Sequence, residues 1–258
     1  MRVACAGGAD LVGRVPASRW AVEETQSSAS SAEGASRRVM HGAFVWCGEL
    51  FDSRFFGVSS AEAGAMDPQQ RLVLERGYAA LHGAALTRES LLESATGVFL
   101  GVWASEFAEV LPRTPAGHGV YALTAATCSV ASGRVSFALG LHGPCVSYDT
   151  ACSSSLVAAH SGVRALQHAE CGVALVCGVN MVFSRGVSAL MLTAGMLSPS
   201  GHSYSFDSRA DGYARGEACC ATALRVAASA DAPVLCGISC AVRQDGRSAS
   251  LTAPNGQA

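Results

Sequence analysis

The chain has 258 residues, room for one large domain or two small ones, and half of them are hydrophobic while only 15% are charged, against a usual share of about 25%. This composition excludes a disordered chain, because disorder goes with low hydrophobicity and high charge. Eighteen basic and twenty acidic residues leave a formal net charge of −2, which gives no electrostatic reason to expect a nucleic-acid or anionic-membrane surface. All eighteen basic residues are Arg, so Schiff-base lysine chemistry and a P-loop lysine are excluded as well.

The most apolar stretch, Cys171 to Phe183, is 13 residues long. A membrane span needs roughly 20. At the N-terminus Asp10 arrives too early for a secretory leader. The eleven cysteines are odd in number and hold no CxxC pair, so neither a zinc site nor a dithiol redox pair is expected. Most read as free, buried thiols acting as small hydrophobes. A reducing compartment follows, cytoplasmic or an organelle such as a plastid.

In chain order, the small polar run 26–36 reads as a loop inside one domain. Asp67-Pro68 opens a helix as N-cap and first helical residue, and Leu72, Leu74, Tyr78 and Leu81 carry it to His82-Gly83. Val98 to Val102 is a buried-type strand. A helix is expected over Cys128 to Leu141, a short strand over Pro144 to Asp149 and a helix over Cys152 to Ala169. Next come a strand at Val173 to Val179 and a helix at Gly186 to Met196. Strands at Cys219 to Val226 and Val234 to Val242 form a possible terminal hairpin. Apolar strands alternating with helices predict an α/β fold, a mixed sheet covered by helices on both faces.

The segment that carries chemistry is Ser147-Tyr148-Asp149-Thr150-Ala151-Cys152-Ser153-Ser154-Ser155-Leu156. A strand ends, the chain turns at Thr150-Ala151, and a helix begins at or just after Cys152. This is the logic of a nucleophile elbow with Cys in the place of Ser. A helix start supplies unpaired N–H groups and the positive end of the dipole, both of which favour thiolate. Such a thiol suits acyl transfer through an acyl-Cys intermediate. On these residues alone a small cysteine packed at a helix start is the more common reading.

The same segment, Asp149-Thr150-Ala151-Cys152-Ser153-Ser154-Ser155-Leu156, resembles the active-site motif of the β-ketoacyl synthases of polyketide synthases. So do Val15-Pro16-Ala17-Ser18-Arg19-Trp20, Phe51-Asp52-Ser53-Arg54-Phe55-Phe56-Gly57, Met66-Asp67-Pro68-Gln69-Gln70-Arg71-Leu72, Ser132-Gly133-Arg134, Phe206-Asp207-Ser208-Arg209-Ala210-Asp211-Gly212 and Leu251-Thr252-Ala253-Pro254-Asn255-Gly256, in family order. The resemblance implies the thiolase-like fold, layered α-β-α-β-α, of which residues 1–258 would form a single N-terminal ketosynthase domain, abbreviated at the front and stopping before the C-terminal half. It also implies Cys152 as catalytic nucleophile, acyl carrier protein as partner, and acyl and malonyl-type thioesters on phosphopantetheine as substrates. The implied reaction is a decarboxylative Claisen condensation with no tightly bound cofactor and no metal. A homodimer, or a complementing C-terminal half, is the implied assembly.

The family also uses two histidines, in segments downstream of the TAPNG-like motif. None of the seven histidines here, 41, 82, 118, 142, 160, 168 and 202, falls in either segment. His160 and His168 read as ordinary helix histidines; His160 lies two turns beyond Cys152. Asp67 and Arg71, four apart on a helix, form a candidate structural pair. Asp207, Arg209, Asp211, Arg215 and Glu217 read as an internal salt-bridge network more than as a channel entrance. Ser153 to Ser155 read as helix-start packing, and the Cys152 N–H as half of an oxyanion hole. The alternative function is a non-catalytic module that dimerises or docks a carrier protein; an acyl-Cys transferase without condensation is a further one.

Overall fold

The structure is a computed structural model and describes residues 10–20, 40–103, 106–227, 240–250, 253 and 255. The expected loop at 26–36 lies outside these residues, as does most of the expected strand at Val234 to Val242; its residues 240–242 are not in a strand.

In chain order the elements are β1 (Gly13–Arg14), β2 (His41–Gly42), α1 (Ser60–Ala65), α2 (Pro68–Gly83), α3 (Arg88–Leu91), β3 (Thr96–Val102), α4 (Phe107–Val110), α5 (Ala122–Ala125), α6 (Cys128–Leu139), β4 (Cys145–Tyr148), α7 (Ser154–Gln167), β5 (Val173–Asn180), α8 (Arg185–Thr193) and β6 (Ala218–Leu224). Each long element expected from the sequence within the described residues is present, with ends displaced by a few residues. The short ones, β1, β2, α1 and α3 to α5, have too few residues to show a period.

Four strands form a mixed sheet in the order β4-β3-β5-β6. β4 and β5 flank β3 in parallel, and β6 runs antiparallel to β5. β3 is buried along its whole length, as a central strand covered on both faces must be. On one face α2 crosses β5 and β6 while α6 crosses β3 and β4; on the other α7 lies over β3 and β5. The main core lies under α2 and α6, around Val73, Leu74, Val98, Leu100, Val135 and Leu175.

The α7 side is packed differently. Its buried residues are Ser154, Ala158, Gly162 and Ala165, a stripe at helical spacing made of small side chains. Small residues bring the helix axis close to the strands, where Phe99, Ala174 and Val176 complete a second core.

The MDPQQR segment is the lock between the helices. Asp67 caps α2, its Oδ1 accepting from the Gln69 N–H at 2.8 Å. Gln69 Oε1 accepts from the Met181 N–H beyond β5. Gln70 Oε1 accepts from Arg134 Nε of α6 at 2.8 Å, and Arg134 also pairs with Glu62 of α1. These groups are largely buried, where a missing partner would cost about 1–3 kcal/mol.

Candidate active site

β4 ends at Tyr148, and the chain does turn at Thr150-Ala151. Thr150 has φ −128° and ψ 36°, and Ala151 takes φ +54°. The left-handed value at a residue with a Cβ is uncommon and interrupts any regular path into the helix. The chain therefore makes a 3₁₀ turn over Ala151–Ser153 before α7 begins at Ser154. The helix start lies two residues later than a reading that begins it at Cys152.

Cys152 sits in that turn and is exposed. The turn is strapped by serines. The Ser154 hydroxyl accepts from the Thr150 N–H at 2.8 Å and donates to the Ala151 carbonyl at 2.7 Å. The Ser153 hydroxyl reaches the Thr150 carbonyl at 2.8 Å. The Ala151 N–H donates to Asp149 Oδ1 at 3.3 Å. Ser153 and Ser154 thus spend their hydroxyls on backbone, as helix-start packing requires.

β4 is anchored from behind. The Ser147 hydroxyl donates to the Cys128 carbonyl at 2.6 Å and lies 2.9 Å from Ser132 Oγ, tying the strand to α6. Burial pushes the Cys128 thiol above its ordinary range, with Asp149 and Asp67 adding to the rise. Cys171 and Cys177 are pushed up by burial too, which keeps them neutral and inert. The nine described cysteines are all free thiols, and Cys152, Cys145 and Cys220 are among the exposed ones.

Neither helix histidine joins the site. His160 Nδ1 lies 3.1 Å from Cys240 Sγ, and His168 is the exposed C-cap of α7. Among the described residues no hydrogen bond links Cys152 to a histidine.

The charged cluster near 207–217 is not one network. Asp207 and Arg209 pair locally at the surface, and that hydrogen bond holds the Asp207 carboxyl below its usual range. Arg215 and Glu217 instead reach away from it. Arg215 pairs with buried Glu106, whose other oxygen accepts the Phe183 and Ser184 N–H groups. Glu217 takes both donors of Arg19, each at 3.0 Å. Asp67 is likewise used in capping, while Arg71 donates to the Glu49 and Met66 carbonyls and feels Asp67 through Coulomb attraction.

Sequence reading missed Glu106 and two glycines. Gly101 of β3 and Gly178 of β5 are paired in register beneath the first turn of α7. The signal was a glycine inside each apolar strand run, which marks close approach of another backbone.

The profile of the beta-ketoacyl synthase N-terminal domain matches residues 5–230. The chain belongs to the β-ketoacyl synthase family. It is 38% identical over 255 residues to a mycocerosic acid synthase-like polyketide synthase of Mycolicibacterium smegmatis, covering 97% of this chain and 12% of that protein. It is 40% identical over 260 residues to a spectinabilin polyketide synthase system protein of Streptomyces orinoci, covering 98% of this chain and 11% of the other. Among solved structures, the ketosynthase from module 6 of the bacillaene synthase of Bacillus subtilis 168 superposes with a TM-score of 0.74 at 32% identity, over 87% of this chain and 36% of that one. The oxazolomycin ketosynthase domain of Streptomyces albus JA3453 gives 0.75 at 30%, over 85% and 38%. The chain thus spans about a tenth of these curated relatives and about a third of the solved ketosynthase chains. The fold is the thiolase-like fold of these β-ketoacyl synthases, and the three layers described, α-β-α, are part of it.

Proposed function

We propose that residues 1–258 form one ketosynthase N-terminal domain whose Cys152 accepts an acyl group from the phosphopantetheine arm of an acyl carrier protein. The observation that carries this reading is the exposed Cys152 sulfur in the turn between β4 and α7 of a β-ketoacyl synthase family member.

The Cys152 sulfur attacks the thioester carbonyl and forms the new C–S bond. The pantetheine sulfur leaves and takes the thiol proton. The backbone N–H of Cys152 serves as one donor to the oxyanion of the tetrahedral intermediate. A malonyl-type thioester then loses carbon dioxide, and its enolate carbon attacks the acyl-Cys carbonyl. The 3-oxoacyl chain departs on its carrier and the Cys152 thiolate is released. The acid–base work of this second step is assigned, as the family resemblance implies, to a complementing half in the same polypeptide or another; His160 contacts Cys240 instead. Substrates arrive on the carrier with no tightly bound cofactor, and the working assembly is a homodimer in the cytoplasm. The free thiols fit a reducing compartment. No helix of the described residues is long and apolar enough to cross a membrane.

Incubation with an acyl-pantetheine thioester, followed by peptide mass mapping, tests the first step. The expected result is an acyl adduct on Cys152 that is absent from Cys152→Ala. No adduct in the unaltered chain would overturn the reading and leave a docking module. An adduct without 3-oxo product on addition of a malonyl thioester and the complementing half would leave acyl transfer alone.

A further inference from the structure

The first turn of α7, which directly follows the turn carrying Cys152, lies against two side-chain-free positions of the sheet. A Cβ built on Gly101 would lie 2.5 Å from the Ser154 carbonyl carbon and the Ser155 nitrogen, and 2.7 Å from the Ser154 oxygen. A Cβ on Gly178 would lie 2.8 Å from Ser155 Cβ. Contacts below 3.0 Å are not tolerated, so both positions exclude any larger residue while the turn stays where it is. The two glycines are cross-strand partners on β3 and β5. Together they form a shallow saddle in the sheet, and the first turn of α7 lies directly in it.

Ser154 completes the arrangement from the helix side. It is almost fully buried, and its hydroxyl bridges the Thr150 N–H and the Ala151 carbonyl. One side chain thus closes the loop that lifts Cys152 into solvent, while its own backbone sits against Gly101. The left-handed Ala151 is held from both sides, as a strained conformation must be.

We infer that Gly101, Gly178 and Ser154 are positioning residues that fix the height and direction of the Cys152 sulfur above the sheet. The inference rests on the reading of Cys152 as acyl acceptor, and it deepens that reading by naming what sets the nucleophile in place. The contacts differ in kind. At Gly101 the obstacle is backbone, which cannot be trimmed; at Gly178 it is one side-chain carbon, which can.

That difference supplies the test. In the 258-residue chain, the rate of Cys152 alkylation by iodoacetamide is read against that of exposed Cys47 in the same molecule. Gly101→Ala and Gly178→Ala each slow Cys152 relative to Cys47 by about three-fold or more, since shifting the first turn of α7 changes the access and surroundings that set a thiol's reactivity. Adding Ser155→Gly to Gly178→Ala restores the rate to within about two-fold, because the offending carbon is gone. Adding it to Gly101→Ala restores nothing. A general loss of structure would not be reversed by introducing a second glycine at a helix start. Unchanged Cys152 rates in both single variants, or a Gly178→Ala/Ser155→Gly chain as slow as Gly178→Ala, would overturn the inference. Alkylation requires no acyl donor. Failure of acyl transfer with an intact alkylation pattern would therefore count against the proposed function and not against the saddle.

Discussion

In β6 two adjacent cysteines face opposite sides of the sheet, because side chains alternate along a strand. Cys219 packs under α2 against the main core, and Cys220 is exposed. Burial pushes the Cys219 thiol up to about 12 from an ordinary value near 9.0, with Cys220 adding to the rise, and Cys177 is pushed up by the same burial. A thiol is neutral when protonated, so the folded state holds these protons more tightly than the unfolded chain does. Their contribution to stability is complete below about pH 9 and drains away as pH climbs from there through about 12. The denaturation midpoint is expected to fall across that window, and to fall less in Cys219→Ala. Native alkylation at pH 8 is expected to mark Cys220 and Cys152 while sparing Cys219 and Cys177 until denaturant is added. Early labelling of Cys219 would show that α2 does not seal this face of the sheet.

Between elements, the tightest tie is Glu217, just before β6. Its carboxylate accepts from Arg19 Nε and Nη2, from the Val45 N–H and from the Val182 N–H, so three distant segments converge on one buried group. Losing a partner of a buried ion pair costs about 3–5 kcal/mol, because the survivor keeps its desolvation penalty. Glu217→Ala is expected to lower stability by about 3 kcal/mol or more in urea unfolding. Arg19→Ala should cost less, since two backbone donors still satisfy Glu217. The contrast shows what the sequence could disclose. The long elements were legible because period and capping are local: Asp67-Pro68 opens α2 as expected, and the turn at Thr150-Ala151 precedes α7. The elbow was legible for the same reason, since strand, small-residue turn and helix are contiguous. Arg215 and Glu217 were read as one cluster, although each is bonded to a partner over 100 residues away in sequence. Only the fold brings those partners together. Glu106 and the Gly101–Gly178 pair escaped attention on that ground, although each glycine broke an apolar run.

At the scale of the whole chain, several large apolar side chains stand exposed. They lie on faces that no described element covers. Leu156, on the outer side of α7, is 73% exposed; Phe137 of α6 is 89% exposed, and Val120 and Leu123 are nearly as open. One face of β6, carrying Cys220 and Thr222, is exposed as well. These positions account for the low charge of the composition, because apolar residues that face outward are not replaced by charged ones. Each 1,000 Å² of apolar surface left wet forfeits about 25 kcal/mol of gross burial, against a net stability of about 5–15 kcal/mol for a domain. Open apolar faces favour association. The isolated chain is therefore expected to self-associate, with a mass by light scattering that rises with concentration and with strong binding of a hydrophobic dye. Replacing Leu156 and Phe137 by Ser should lower both signals while leaving the β3–β5 core intact, since neither side chain is part of it. A monodisperse 26.3 kDa monomer that melts cooperatively without dye binding would mean that these faces are closed in solution.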